Sequence, residues 1–114
     1  MACVHEFGIL AFDHQTADID YEPHEYNCIS VDDDIINSLI PNLSMMRTYF
    51  HSFNRPEYGL AHWGITIIPP ESLSLFYDVV TASKYFKRSS GLHELASKIV
   101  QAKAENKHMI HFGI

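Results

Sequence analysis

A chain of 114 residues with 46% apolar and 19% charged residues has the material for a packed core. That composition excludes global disorder and predicts a single domain over residues 1–114. Fourteen acids against eight bases leave a net charge of −6, a weak footprint for nucleic acid and a reason to expect none as a partner.

The first elements in chain order are two short strands, Cys3–Leu10 and Tyr26–Val31, both rich in Val, Ile, Phe and Tyr. Between them Asp13–Glu25 is polar, acidic and interrupted by Pro23, which reads as a long loop. Asp32–Asp34 then opens a helix, with Asp32 as its cap and acids facing the positive end of the helix dipole. Ile36, Leu39, Ile40, Leu43, Met46 and Phe50 recur at helical spacing as far as about Ser52, and Pro41 inside that run predicts a kink or a division into two helices.

Tyr58–Ile68 reads as the central strand, because Ile65–Ile68 is almost continuously β-branched. Pro69–Pro70 stops it and starts a helix over Glu71–Ser83. A basic connector follows, Lys84–Gly91, with Ser89–Ser90–Gly91 as a cap for the helix Leu92–Lys107. His108–Ile114 alternates as a last strand, with a place at the sheet edge as the expectation. The predicted order is β-β-α-β-α-α-β, an α+β fold with about four strands and helices packed on one face. Two helices before the last strand suggest a parallel crossover, and Ile65 and Ile67 are expected to meet Leu95 and Ile99 in the core.

No segment has the length and apolar character of a membrane span. Residues 58–70 fall short of the roughly 20 that a bilayer needs, and the amino-terminal dozen lacks the basic start of a secretory leader. Cys3 and Cys28 have no motif spacing and read as reduced thiols, so the expected address is the cytoplasm.

Chemistry is harder to find. The sequence has no nucleophile elbow and no phosphate-binding glycine loop. Cys28 sits among apolar neighbours and reads as a buried, inert thiol, and no enzymatic role is expected. Eight histidines invite a metal site, yet no pair stands at the i, i+4 spacing of a helical ligand set. On that ground no metal and no cofactor are expected. The alternative set is His5, His14, Asp18, Asp20 and His24, whose nitrogen and carboxylate donors would converge from the acidic loop. Lys84, Lys87 and Arg88, interleaved with Tyr85 and Phe86, form the one basic and aromatic patch and read as a solvated connector.

The strongest asymmetry is in charge. Residues 1–34 hold nine acids and no Lys or Arg, whereas residues 35–114 hold five acids and eight bases. An acidic surface of Asp18, Asp20, Glu22, Glu25, Asp32 and Asp33 would suit a basic protein partner, steering its approach. The strings Asn27–Ile36 (NCISVDDDII), Gly64–Leu73 (GITIIPPESL) and Met109–Ile114 (MIHFGI) resemble a family of short, uncharacterised bacterial proteins over most of the chain. The resemblance carries over no catalytic residue. In size and acidity the chain is also similar to immunity proteins that neutralise bacterial toxins, which implies a non-enzymatic binding module. A small metal-binding protein using the loop His and Asp residues is the second reading. A homo-oligomer pairing through the edge strand His108–Ile114 is the third.

Overall fold

A computed structural model describes residues 3–10, 28–51 and 54–113. Strand β1 spans Val4–Ile9 and β2 Ile29–Asp32, followed directly by helix α1, Asp33–Leu39. A 3-10 turn over Ile40–Leu43 leads into β3, Arg47–Phe50, then β4, Pro56–Tyr58, and β5, Ile65–Ile68. Helices α2, Leu73–Ala82, and α3, Ser90–Ala104, precede the last strand β6, Met109–Phe112. No helix among the described residues is long and apolar enough to cross a membrane.

The fold is α+β, but its sheet has six strands in the order β2-β1-β6-β5-β3-β4 rather than about four. Every neighbouring pair is antiparallel. The extra strands come from two segments that sequence periodicity assigned differently. The helix expected to reach Ser52 ends at Leu39, and Pro41 sits in the tighter 3-10 turn that follows. The β-branched and aromatic run Thr48–Phe50 then pairs on both sides, with Glu57 opposite Thr48 and Ile67 opposite Tyr49. Tertiary pairing overrides a helical spacing that was real but local. The single strand expected over Tyr58–Ile68 does not form: β4 ends at Tyr58, β5 begins at Ile65, and Gly59 and Gly64 between them have φ of 77° and 88°, left-handed conformations that side chains rarely adopt.

The crossover from β5 to β6 is antiparallel, not parallel. The helical excursion leaves the sheet at Ile68 and returns at Met109, and these two are register partners. Strand β6 therefore lies between β1 and β5, in the sheet interior. Both edges of Met109–Phe112 are hydrogen-bonded within the chain, so this strand is not at the sheet edge where it was expected.

The two sheet faces bury separate clusters. Phe7, Val31, Ile68 and Met109 join Ile36 and Leu39 of α1, Leu73, Phe76 and Val80 of α2, and Leu92, Leu95 and Ile99 of α3. The helices thus pack on one face, as expected. Leu10, Ile65, Ile67, Ile110 and Phe112 form a second buried cluster with Cys28 and Tyr49 at its margin. The expected meeting of Ile65 and Ile67 with Leu95 and Ile99 does not occur, because the period-two alternation of β5 turns these isoleucines to the other face. Asp32 occupies the N-cap position of α1 but its side chain makes no capping bond, whereas Ser89 accepts one from the Leu92 N–H at the start of α3.

Candidate metal centre

The alternation that buries Phe7 and Met109 on the helix face also buries two imidazoles there. His5 lies two residues before Phe7 on β1 and His111 two residues after Met109 on β6, and both are fully buried. His111 stands directly opposite Thr66 of β5. A row of polar side chains thus crosses three strands beneath the helices.

Each member of the row is bonded to the next. Nδ1 of His5 lies 2.8 Å from Nε2 of His111, and Nδ1 of His111 lies 3.2 Å from Oγ1 of Thr66. The Ala61 backbone N–H donates to the same Oγ1 at 2.8 Å. The two imidazole planes are within 10° of parallel with centroids 5.0 Å apart, consistent with rings joined edge to edge by a hydrogen bond. At the other end, Nε2 of His5 is 2.7 Å from Oδ1 of Asp33, the first residue of α1. Asn37, one turn later, donates to Oδ2 of the same carboxylate at 3.0 Å. No buried side-chain nitrogen or oxygen among the described residues lacks a partner.

His62 approaches from the loop between β4 and β5, its ring edge-on to His5 at a centroid distance of 5.8 Å. Gly113 is what permits that approach. A Cβ there would stand 2.3 Å from the His62 carbonyl oxygen and 3.0 Å from Cα of Trp63, and the Gly113 N–H donates to the Gly64 carbonyl at 2.7 Å. Trp63 beside it is 71% exposed, so the loop carries His62 at the border between core and solvent. His5, Asp33 and His62 bring three donor atoms within 4.8 Å of one another. The Asp33 side chain is 20% exposed, which leaves the group open to solvent on that side.

Burial, reinforced by the nearby rings of His5 and His62, holds the pKa of His111 well below the ordinary histidine value. His111 is therefore neutral at physiological pH, with one ring proton to donate and one ring nitrogen to accept. Burial, assisted by Glu6, raises the Cys28 thiol to about 12, against a smaller opposing pull from Lys98. It stays protonated and weakly nucleophilic at neutral pH, but the side chain expected to be buried is only half-buried, just before the start of β2.

Of the residues singled out by sequence, His5 and Asp33 are brought together. Asp32 is exposed. His14, Asp18, Asp20, Glu22, His24 and Glu25 lie outside the described residues. The sequence reading missed His62, His111 and Thr66. The available signal was a histidine in period-two register with core residues, as in Met109–Ile110–His111. No protein-family model, no curated protein and no solved structure matches the chain.

Proposed function

We propose that the chain is a metal-binding protein that holds one divalent transition ion between Nε2 of His5, Oδ1 of Asp33 and a ring nitrogen of His62. The observation that carries this reading is the convergence of three donors from three separate segments, β1, α1 and the β4–β5 loop. Tetrahedral bonds of about 2.1 Å space ligand atoms about 3.4 Å apart, so seating an ion requires the His5–Asp33 pair to open from 2.7 Å and the three donors, now within 4.8 Å of one another, to adjust around it. The surroundings of the donors also support it. Ligating histidines are ordinarily tied through their second nitrogen, and ligating carboxylates are hydrogen-bonded in turn. Here His111 holds His5 and Asn37 holds Asp33.

Two imidazoles and one carboxylate suit zinc or ferrous iron better than calcium or magnesium, which prefer oxygen-only shells. Three protein ligands leave a coordination position for water or a small ligand, the arrangement of reactive rather than purely structural zinc sites. The test is a titration of metal-stripped protein with Zn2+, Fe2+, Ca2+ and Mg2+ by calorimetry. One equivalent of zinc or iron should bind per chain, and Asp33→Asn should abolish binding or weaken it at least ten-fold. Uptake that is unaffected by Asp33→Asn, or no uptake of either ion, refutes the reading.

A second reading rests on the charge asymmetry, nine acids and no base in residues 1–34. In it the acidic segment, including Asp18, Asp20, Glu22, Glu25 and Asp32, occupies a basic cleft on a protein partner in the manner of an immunity protein. Asp33 contributes less to such a surface, since its carboxylate is held by His5 and Asn37.

A further inference from the structure

Asp33 is the one member of the donor set whose side chain offers two equivalent ligand atoms, and the structure engages its two oxygens differently. Oδ1 lies 2.7 Å from Nε2 of His5, whereas Oδ2 accepts from Nδ2 of Asn37 at 3.0 Å. Chemistry fixes the direction of the second bond. A carboxylate accepts, so Asn37 must present its NH2 group to it and not its carbonyl oxygen. The two residues stand four apart on α1, and the helix itself brings the amide over the carboxylate. Asn37 is exposed, so its side chain can be changed without opening the core.

How many oxygens Asp33 gives to an ion decides which ion fits. A tetrahedral zinc shell has four places, and a carboxylate bound through one oxygen fills one of them. With His5 and His62 that leaves one place open. Calcium takes about six to eight oxygen ligands and accepts a carboxylate through both oxygens, and manganese shares its preference for oxygen. For Asp33 to bind in that second way, Oδ2 must leave Asn37.

We propose that Asn37 is a positioning residue that sets the ion preference of the site, by holding Oδ2 of Asp33 and so leaving Oδ1 as its single ligand atom. The inference rests on the metal reading above. Seating an ion opens the contact between His5 and Asp33, which frees the carboxylate on the Oδ1 side. The amide bond to Oδ2 lies on the other side and stays in place. It keeps the carboxylate from turning both oxygens toward the ion, and the site favours a small four-coordinate ion over a larger oxygen-seeking one.

The experiment compares the unaltered protein with Asn37→Leu, which is close in shape but cannot donate, and with Asn37→Gln, which keeps an amide on the same helical face. Zn2+ and Mn2+ affinities of metal-stripped protein are read by calorimetry. Infrared difference spectra, zinc-loaded minus metal-free, are recorded on protein labelled with 13C-aspartate. The separation of the two carboxylate stretches is wide for binding through one oxygen and narrow for chelation through two. The unaltered protein should show the wide separation. Asn37→Leu should narrow it and lower zinc affinity about ten-fold, as loss of such an outer partner does, with manganese affinity unchanged or raised. Asn37→Gln should restore both readouts. Zinc uptake by Asn37→Leu with the wide separation retained overturns the inference and leaves the metal site standing. A parallel loss of zinc and manganese affinity with that separation unchanged also overturns it, because Asn37 would then only support the helix. Absence of zinc uptake by the unaltered protein overturns both the inference and the metal reading.

Discussion

Nδ1 of His5 and Nε2 of His111, 106 residues apart in sequence, face each other at 2.8 Å on the helix-covered side of the sheet. The contact joins the first described strand to the last, whose backbones already pair from Glu6–Phe112 to Ile9–Met109. A polar pair at such a place is favourable only while every nitrogen has a partner and neither ring takes on an uncompensated charge.

This gives the fold a defined response to acid. The depressed His111 pKa means that the unfolded chain takes up a proton below about pH 6.5 while the folded chain does not. Stability contributed by the neutral ring is complete above that value and falls as pH drops below it, by up to about 1.4 kcal/mol per pH unit from this residue. The groups facing His111 are His5 from β1, His62 from the loop and Thr66 from β5, with Asp33 beyond His5. Urea unfolding at pH 7.5, 6.5 and 5.5 should show stability flat across the first interval and reduced across the second. Equal stability at 7.5 and 5.5 would contradict a neutral, buried His111.

Ile67 and Ile99 test the division of the core. Both are fully buried but belong to clusters on opposite faces of the sheet. Truncation of either to Ala should cost about 2–5 kcal/mol, and the double variant should cost the sum of the two within about 0.5 kcal/mol. A coupling energy of 1 kcal/mol or more would mean that the two side chains share a cavity, as the sequence had suggested.

Gly113→Ala tests what holds His62 in place. The added methyl meets the His62 carbonyl and the Trp63 backbone, so the loop must shift. The expected cost is about 1–3 kcal/mol of stability, typical of overpacking, together with weaker zinc binding because His62 moves with the loop. Calorimetry on the refolded variant checks both. Unchanged zinc affinity would show that His62 is not positioned through Gly113.

Much of the scaffold was legible in the sequence and the site was not, for a physical reason. Helices α2 and α3 and strand β6 follow from periodicity and from Pro69–Pro70 and Ser89, which act over a few residues. Strand β3 was hidden because Met46 and Phe50 continue the helical spacing of Ile36–Leu43, and only the pairing partners Glu57 and Ile67 resolve the ambiguity. The donor set is assembled from positions 5, 33 and 62. A rule that looks for histidines four apart on one helix cannot see such a group. The contribution of His62 depends on a glycine at position 113 that has no sequence relation to it.

The metal site is tested most directly by X-ray absorption at the zinc edge of the loaded protein, compared with His62→Ala. The account predicts two imidazoles at about 2.0–2.1 Å with oxygen ligands completing the shell, and one imidazole fewer in the variant. An unchanged imidazole count in His62→Ala, or sulfur scattering at about 2.3 Å, would place the ion elsewhere and contradict the site.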